Sequence, residues 1–398
     1  MSALSGLRVL DLTGLRGALC GRLFADMGAD VILVEPPAGA QGRRVGPFVD
    51  DRPHPDRSLF FWFYNLNKRS LTLDLTHARG IELLLSLAGS ADVIIESFAP
   101  GQMEQSGLGW EKLHQLNPGL ILCSITPFGQ SGPWRDYKAD DLVLSALGGM
   151  TYVNGFPGEA PVRPLGLQAY HAGAYYGAIG TMCALLARER DGAGQWVDLS
   201  MLEATASAVE HVAPTYMSTG VVEQRRGTLH WTRYFRVGRC RDGYVMHCTL
   251  GDWTSLVEWV AADGAAQELT EPQWEDVFYR KQHAERLFDI LDEWVKPYHR
   301  QDLLARAQAL RIPYASVRAP EELFDDEQLL SRGFFVEVEH PELGRSFRYP
   351  GPPYPFSATP AKVYRRPPLL GEHTVEILRT ELGLSCDELA VLAAERVT

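Results

Sequence analysis

Several classes of protein are excluded by what this sequence lacks. Its six cysteines, Cys20, Cys123, Cys183, Cys240, Cys248 and Cys386, include no C-x-x-C pair. That fits reduced cytosolic thiols better than a disulfide framework or a zinc site. There is no long apolar run. The longest, Gly173 to Ala187, is too short and too rich in glycine to span a membrane. Met1 to Leu10 has no apolar h-region, so no signal peptide is read and the expected compartment is the cytoplasm. Positive charge is in the minority: the formal net charge of −12 speaks against nucleic acid or an anionic membrane as the main partner. An anionic ligand would need a local basic patch against that background. The dinucleotide fingerprint G-x-G-x-x-G is missing, because Gly14, Gly17 and Gly21 are spaced wrongly for it. A nicotinamide or flavin cofactor is therefore not expected, and neither metal nor redox group is signalled. No internal repeat or low-complexity segment interrupts the chain.

What is present is a long globular chain. Its 398 residues suffice for two domains with a large core, and 45% hydrophobic with 22% charged residues is ordinary for a soluble enzyme. The first third alternates short apolar runs with helical periods. Strands are expected at Arg8 to Leu12, Val31 to Val34, Ser70 to Leu75, Asp92 to Ser97 and Leu120 to Ile125. Helices are expected at about Leu15 to Met27 and at Arg79 to Ala88, with a helical pair ending at Leu116. Strand, helix, strand at this spacing means βαβ units, hence a Rossmann-like, doubly wound parallel sheet. A long helix rich in small residues is expected from His171 to Arg190, with His171 itself a partly buried structural histidine. From about Gly220 charges and tryptophans rise and strands mix with helices, which marks a smaller α+β domain. The expected division is a large domain over 1–219, a small one over 220–325, and a final segment over 326–398.

The stretch Gly129 to Gly149 organises the rest. Turn residues Gly129, Gly132 and Pro133 lead to adjacent carboxylates, Asp140 and Asp141, directly before the apolar run Leu142 to Leu147. Such an aspartate is either a helix N-cap or a nucleophile or base held at a loop-to-helix junction, where backbone N–H groups steady developing negative charge. For neighbouring residues both roles can hold at once. Basic residues occur at Arg43-Arg44 and in Asn67-Lys68-Arg69-Ser70; they are either solvated surface charge or a phosphate site.

These motifs carry a resemblance. G-Q-S-G-P followed by Y-K-A-D-D-L-V and A-L-G-G resembles the core signature of the family III CoA-transferases, the CaiB/BaiF group. Leu4 to Leu12, Ala25 to Pro37, Asn67 to Leu71 and Gly192 to Met201 resemble further family motifs, as do Ile312 to Val317, Leu330 to Val336 and Leu370 to Thr374. Gly17-Ala18-Leu19-Cys20-Gly21 is similar to an aryl- or alkylsuccinate-type subgroup. The resemblance implies that Asp141 is the catalytic nucleophile. It further implies that Arg43, Arg44, Lys68, Arg69 and Lys138 meet the phosphates of CoA, and that Ser97 and Phe98 line its channel. It implies no permanently bound cofactor, with coenzyme A and acyl-CoA as substrates and a carboxylic acid as acceptor. The final segment would return to the large domain, in an interlocked homodimer. The activity implied is transfer of CoA from an acyl-CoA to a free acid through aspartyl anhydride and aspartyl-CoA intermediates. Two alternatives stand beside it: an acyl-CoA racemase or epimerase of the same fold, whose members carry His where this chain has Asp140, and a CoA-binding protein without transfer activity.

Overall fold

The computed structural model describes residues 2–398 and divides into two units. The larger holds the chain up to Met150, Pro164–Pro214 and Ser331–Thr398; the smaller holds Thr151–Arg163 and Thr215–Leu330.

In the larger unit the chain runs β1 (Arg8–Leu12), α1 (Ala18–Asp26), β2 (Asp30–Glu35), α2 (Leu59–Tyr64), β3 (Arg69–Thr72), α3 (Ala78–Ala88) and β4 (Val93–Glu96). It continues through α4 (Gln102–Gln105), α5 (Trp110–Leu116), β5 (Ile121–Thr126), α6 (Asp141–Leu147), α7 (Gln168–Asp191), β6 (Trp196–Ser200) and α8 (Met201–Ser207). The six strands form one parallel sheet in the order β3-β2-β1-β4-β5-β6. A parallel sheet covered on both faces needs strands that are apolar throughout rather than alternating. Val31, Ile32, Leu33 and Val34 in β2, and Val93, Ile94 and Ile95 in β4, are all buried. One face is packed by α1, α7 and residues such as Phe24, Leu144 and Met201. The other is packed by α3, by Leu113 of α5, and by the C-terminal residues Ile377, Leu378 and Leu392.

α7 lies on the sheet because its sheet-facing positions are small. A Cβ on Gly173 would come 2.9 Å from Met201, and one on Gly177 3.1 Å from Ile125. Tyr175, Tyr176, Ile179 and Leu186 on its other side are exposed. The G-A-G-Q motif before β6 has a similar cause: a Cβ on Gly194 would sit 1.8 Å from the carbonyl oxygen of Leu120. The final segment is tied back to the sheet by backbone bonds from Asn67 N to Arg365 O, His373 N to Ser70 O and Asp74 N to Val397 O. Its hairpin, β10 (Phe335–His340) with β11 (Arg345–Pro350), packs aromatic residues on Trp62 of α2.

The smaller unit is an antiparallel sheet, β7 (Phe235–Cys240), β8 (Gly243–Cys248) and β9 (Ala315–Val317), with helices Trp253–Ala262, Ala284–Val295 and Arg300–Ala309. Their apolar faces meet in a core that includes Trp259, Leu287, Phe288, Leu291 and Trp294. The unit comprises Thr151–Arg163 and Thr215–Leu330, where the expected small domain spans 220–325. Hydrogen bonds hold the 151–163 loop there: Arg225 Nη1 donates to Tyr152 O at 2.8 Å and Gly227 N to Gly155 O at 2.9 Å. No helix among the described residues is long and apolar enough to cross a membrane.

Candidate active site

Strand order reverses between β1 and β4. In an open α/β sheet the crevice beyond the carboxyl ends of the strands at that point is where ligands bind. Two cavities open there. One of about 600 Å³ is lined by Thr13 and Gly14 after β1, Phe98 after β4, and by Val34, Leu73 and Met103. A second of about 460 Å³ shares Leu12, Gly14, Gln41 and Phe98 with it and extends to Arg16, Ser97, Ala139, Asp140 and Tyr170. The ends of β1 and β4 are stitched together by Gly14 N donating to Ser97 Oγ at 3.0 Å. Beneath them Glu96 accepts from Phe98 N at 2.7 Å. Burial pushes the Glu96 carboxyl up to about 7, against the hydrogen bonds from Ser124 and Phe98.

The two aspartates divide the roles that the sequence left open. Asp140 is the N-cap of α6, its Oδ1 accepting from Val143 N at 3.0 Å. Asp141 is the first helical residue, and its carboxylate turns to a different helix: Oδ1 accepts from Tyr170 N at 3.1 Å. Tyr170 lies in the first turn of the 24-residue α7, which has no acidic residue of its own there. The helix dipole and the free N–H groups of that turn suit a negative charge. Burial raises the pKa of Asp141, while the N–H groups of Tyr170 and Ala169, and then His171, hold it down. His171 Nε2 lies 2.7 Å from the hydroxyl of Tyr64. Burial lowers the His171 pKa and, with Asp141 adding to it, pushes Tyr64 up to about 12. A carboxylate, an imidazole and a phenol from α6, α7 and α2 thus form one half-buried cluster. His171, read from sequence as structural, sits within the electrostatic reach of Asp141. No local spacing in the sequence marks Arg16, Tyr64 or Tyr170, because their partners in space are distant along the chain.

The basic residues separate sharply. Lys68 is fully buried and spends all three ammonium donors inside the protein, on Asp11 Oδ2 at 2.7 Å, Ala18 O at 2.8 Å and Asn65 Oδ1 at 2.9 Å. Arg43 is 1% exposed, paired with Glu35 at 2.7 Å and Asp56 at 2.9 Å, and stacked on Phe61. Arg69 is shared among Asp30, Glu376 and Glu381. The expectation that these three meet CoA phosphates is corrected: each is a counter-ion to the protein's own carboxylates. Buried cations need such partners. Gly21 belongs to the same arrangement, since a Cβ there would lie 2.1 Å from Asp11 Oδ2. Arg44 and Lys138 are exposed, while Ser97 and Phe98 line the cavities at the strand ends.

Comparison with known proteins agrees with this architecture. The model of CoA-transferase family III matches residues 4–374. The chain is 34% identical to the succinyl-CoA:(R)-benzylsuccinate CoA-transferase subunit BbsE of Thauera aromatica, covering 97% of this chain and 95% of that protein. It is 33% identical to the succinyl-CoA–D-citramalate CoA-transferase of Chloroflexus aurantiacus, over 99% of this chain and 98% of the other. The crystal structure of a CaiB/BaiF family protein from Brucella suis superposes with a TM-score of 0.86 at 28% identity, covering 96% of this chain and 99% of that one. The parallel sheet, the motifs that surround its switch point and the extent of these matches lead to one conclusion: the chain belongs to CoA-transferase family III.

Proposed function

We propose that this CoA-transferase works through Asp141. The observation that carries the proposal is the carboxylate's position at the N-terminus of α7, accepting from Tyr170 N. An Asp141 oxygen attacks the thioester carbonyl of the donor; the C–S bond breaks, CoA leaves as the thiolate, and an acyl-aspartyl anhydride forms. The thiolate then attacks Cγ of Asp141, releasing the donor's carboxylate and leaving aspartyl-CoA thioester. The acceptor carboxylate attacks that carbonyl and expels the thiolate, which takes the acceptor acyl group from the new anhydride and returns Asp141 free. Carboxylates are effective nucleophiles in such covalent schemes. Backbone N–H groups of the α7 turn would steady the oxyanions, and half-burial limits hydrolysis of the two intermediates.

The crevice accommodates the substrate in parts. The larger cavity, lined largely by apolar side chains, suits the adenosine and pantetheine of CoA, and its size is ordinary for a ligand site. Arg44 and Lys138 remain as the phosphate contacts carried over from the family motifs. Because the two similar transferases act on succinyl-CoA, succinyl-CoA is the proposed donor. For assembly we propose a homodimer through the exposed apolar faces of α6 and α7, which carry Leu142, Val143, Leu147, Ile179 and Leu186. Sedimentation of the purified chain alone, giving a single dimer, supports it; a monomer that gains activity only with a second chain replaces it.

A racemase reading has one observation in its favour: His171 beside Asp141 forms the acid–base pair that α-proton abstraction requires. One experiment separates the two. The protein is incubated with succinyl-CoA and hydroxylamine, then peptide-mapped by mass spectrometry. A hydroxamate on Asp141, with loss of transfer by several orders of magnitude in Asp141→Asn, is expected. A label on another carboxylate, or near-full transfer by the variant, overturns the assignment. Solvent deuterium at the acyl α-carbon without movement of CoA installs the racemase instead.

A further inference from the structure

The buried arginines of the large unit are matched to carboxylates: Arg22 to Asp26, Arg43 to Glu35 and Asp56, Arg69 to Asp30 and the C-terminal glutamates. Arg16 is different. It is half-buried in the turn between β1 and α1, and among the described residues it is the one cation lining the 460 Å³ cavity. No carboxylate among the described residues lies within ion-pair distance of it. One Nη2 donor goes to the backbone oxygen of Ala139 at 3.2 Å. Its guanidinium also hydrogen-bonds the Tyr170 phenol, opposing the burial that raises that phenol's pKa. A guanidinium has five N–H donors in a planar fork, and Ala139 and the Tyr170 hydroxyl hold only part of it. The remaining donors lie in a cavity whose wall also carries Asp140, the chain neighbour of Asp141, and Tyr170, whose backbone N–H donates to Asp141.

Ala139 and Tyr170 tie this cation to the reacting end of the crevice rather than to its apolar end. The 600 Å³ cavity, by contrast, has no lysine or arginine among the described residues of its lining. An anion at Arg16 is therefore an anion close to the acyl carbon. We propose that Arg16 is a specificity-determining residue that receives the distal carboxylate of a dicarboxylic substrate. One carboxyl group of that substrate reacts, as thioester or as free acid, while the other is gripped by the guanidinium. This rests on the crevice being the transferase site and adds the class of acid it takes: four-carbon and related dicarboxylates in preference to monocarboxylates of the same length. Arginine matches a carboxylate bidentately, which gives register as well as attraction. A fixed distal end places the reacting carbonyl, so the benefit falls on kcat/KM and not on binding alone.

The test compares succinyl-CoA with butyryl-CoA as donors, and succinate with butyrate as acceptors, in the wild type, Arg16→Gln and Arg16→Lys. Losing a charge-assisted contact of this kind costs about tenfold to a hundredfold. In Arg16→Gln the ratio of kcat/KM for the succinyl over the butyryl thioester should collapse by that factor, with Arg16→Lys between it and the wild type. Equal losses on both thioesters would overturn the proposal. So would weakened binding of free CoA by calorimetry, because then the guanidinium serves a phosphate. Calorimetric titration with succinate keeps this inference separable from the proposed reaction. Arg16-dependent succinate binding in a protein that transfers nothing would retain the carboxylate site and sink the transfer. Transfer that is indifferent to the distal carboxylate in the wild type would sink the carboxylate site alone.

Discussion

Replacing Lys68 by methionine distinguishes a phosphate ligand from a core counter-ion. In the structure its ammonium sits among Asp11, Ala18 O and Asn65, with both ends of the Lys68–Asp11 pair fully buried. Lys68→Met keeps most of the volume but leaves Asp11 with only Thr13 N at 2.9 Å and Thr13 Oγ1 at 2.6 Å as donors. It also orphans two acceptors, Ala18 O and Asn65 Oδ1. Removing one partner of a buried pair costs about 3–5 kcal/mol. For a unit of this size each kcal/mol moves the midpoint of thermal unfolding by about 2–4 °C, so a fall of roughly 10 °C is expected. The double variant Lys68→Met with Asp11→Asn removes the stranded charge and should recover a good part of that loss, since the two sites are coupled. Scanning calorimetry with the thermodynamic cycle of four proteins measures it. CoA affinity of the folded Lys68→Met protein should stay close to that of the wild type. A melt unchanged within about 2 °C together with a tenfold loss of CoA affinity would refute the reasoning and return Lys68 to the phosphate.

Other outcomes follow from the same structure. Asp140→Ala removes the observed cap of α6 and should destabilise by about 1 kcal/mol, with Asp140→Asn close to neutral; denaturant titration of both checks this. Gly21→Ala drives a methyl group into Asp11 Oδ2 and should lower soluble yield and melting temperature, as circular dichroism would read. Glu96 is set at about 7 in the folded protein against an ordinary 4.5. Its pKa is raised on folding, so its contribution is fully present below pH 4.5 and is lost as pH rises to about 7, a decline of about 3 kcal/mol. Glu96→Gln should flatten that stretch of the stability–pH curve, and an unchanged slope would remove the buried carboxyl as its cause.

Local pattern carried far in this protein. β1 occupies Arg8–Leu12 as expected, and α3 over Ala78–Ala88 begins within a residue of its expected start at Arg79. Where a strand is buried on both faces, its apolar run is uninterrupted, and turn residues bracket it; that information is contiguous. The same holds for the cap at Asp140, because capping joins residues three apart. The reading failed where partners are far apart in sequence. Lys68 and Asp11 look like ordinary charges until β1 and the residue leading into β3 are brought together. The 151–163 loop reads as part of the domain that precedes it until Arg225 and Gly227 bind it elsewhere.

The sequence alone, then, determined the parallel α/β sheet, the place of its turns, the family motifs and the pair of aspartates, because each depends on periodicity or on neighbours a few residues apart. Tertiary structure decided which aspartate caps and which turns toward α7. It also decided that three basic residues are spent within the core, and that, among the described residues, Arg16 is the cation that reaches the smaller cavity of the crevice. Those are questions of desolvation and charge pairing. A cation's availability depends on whether a carboxylate from another element arrives beside it, and only the folded chain brings those elements together.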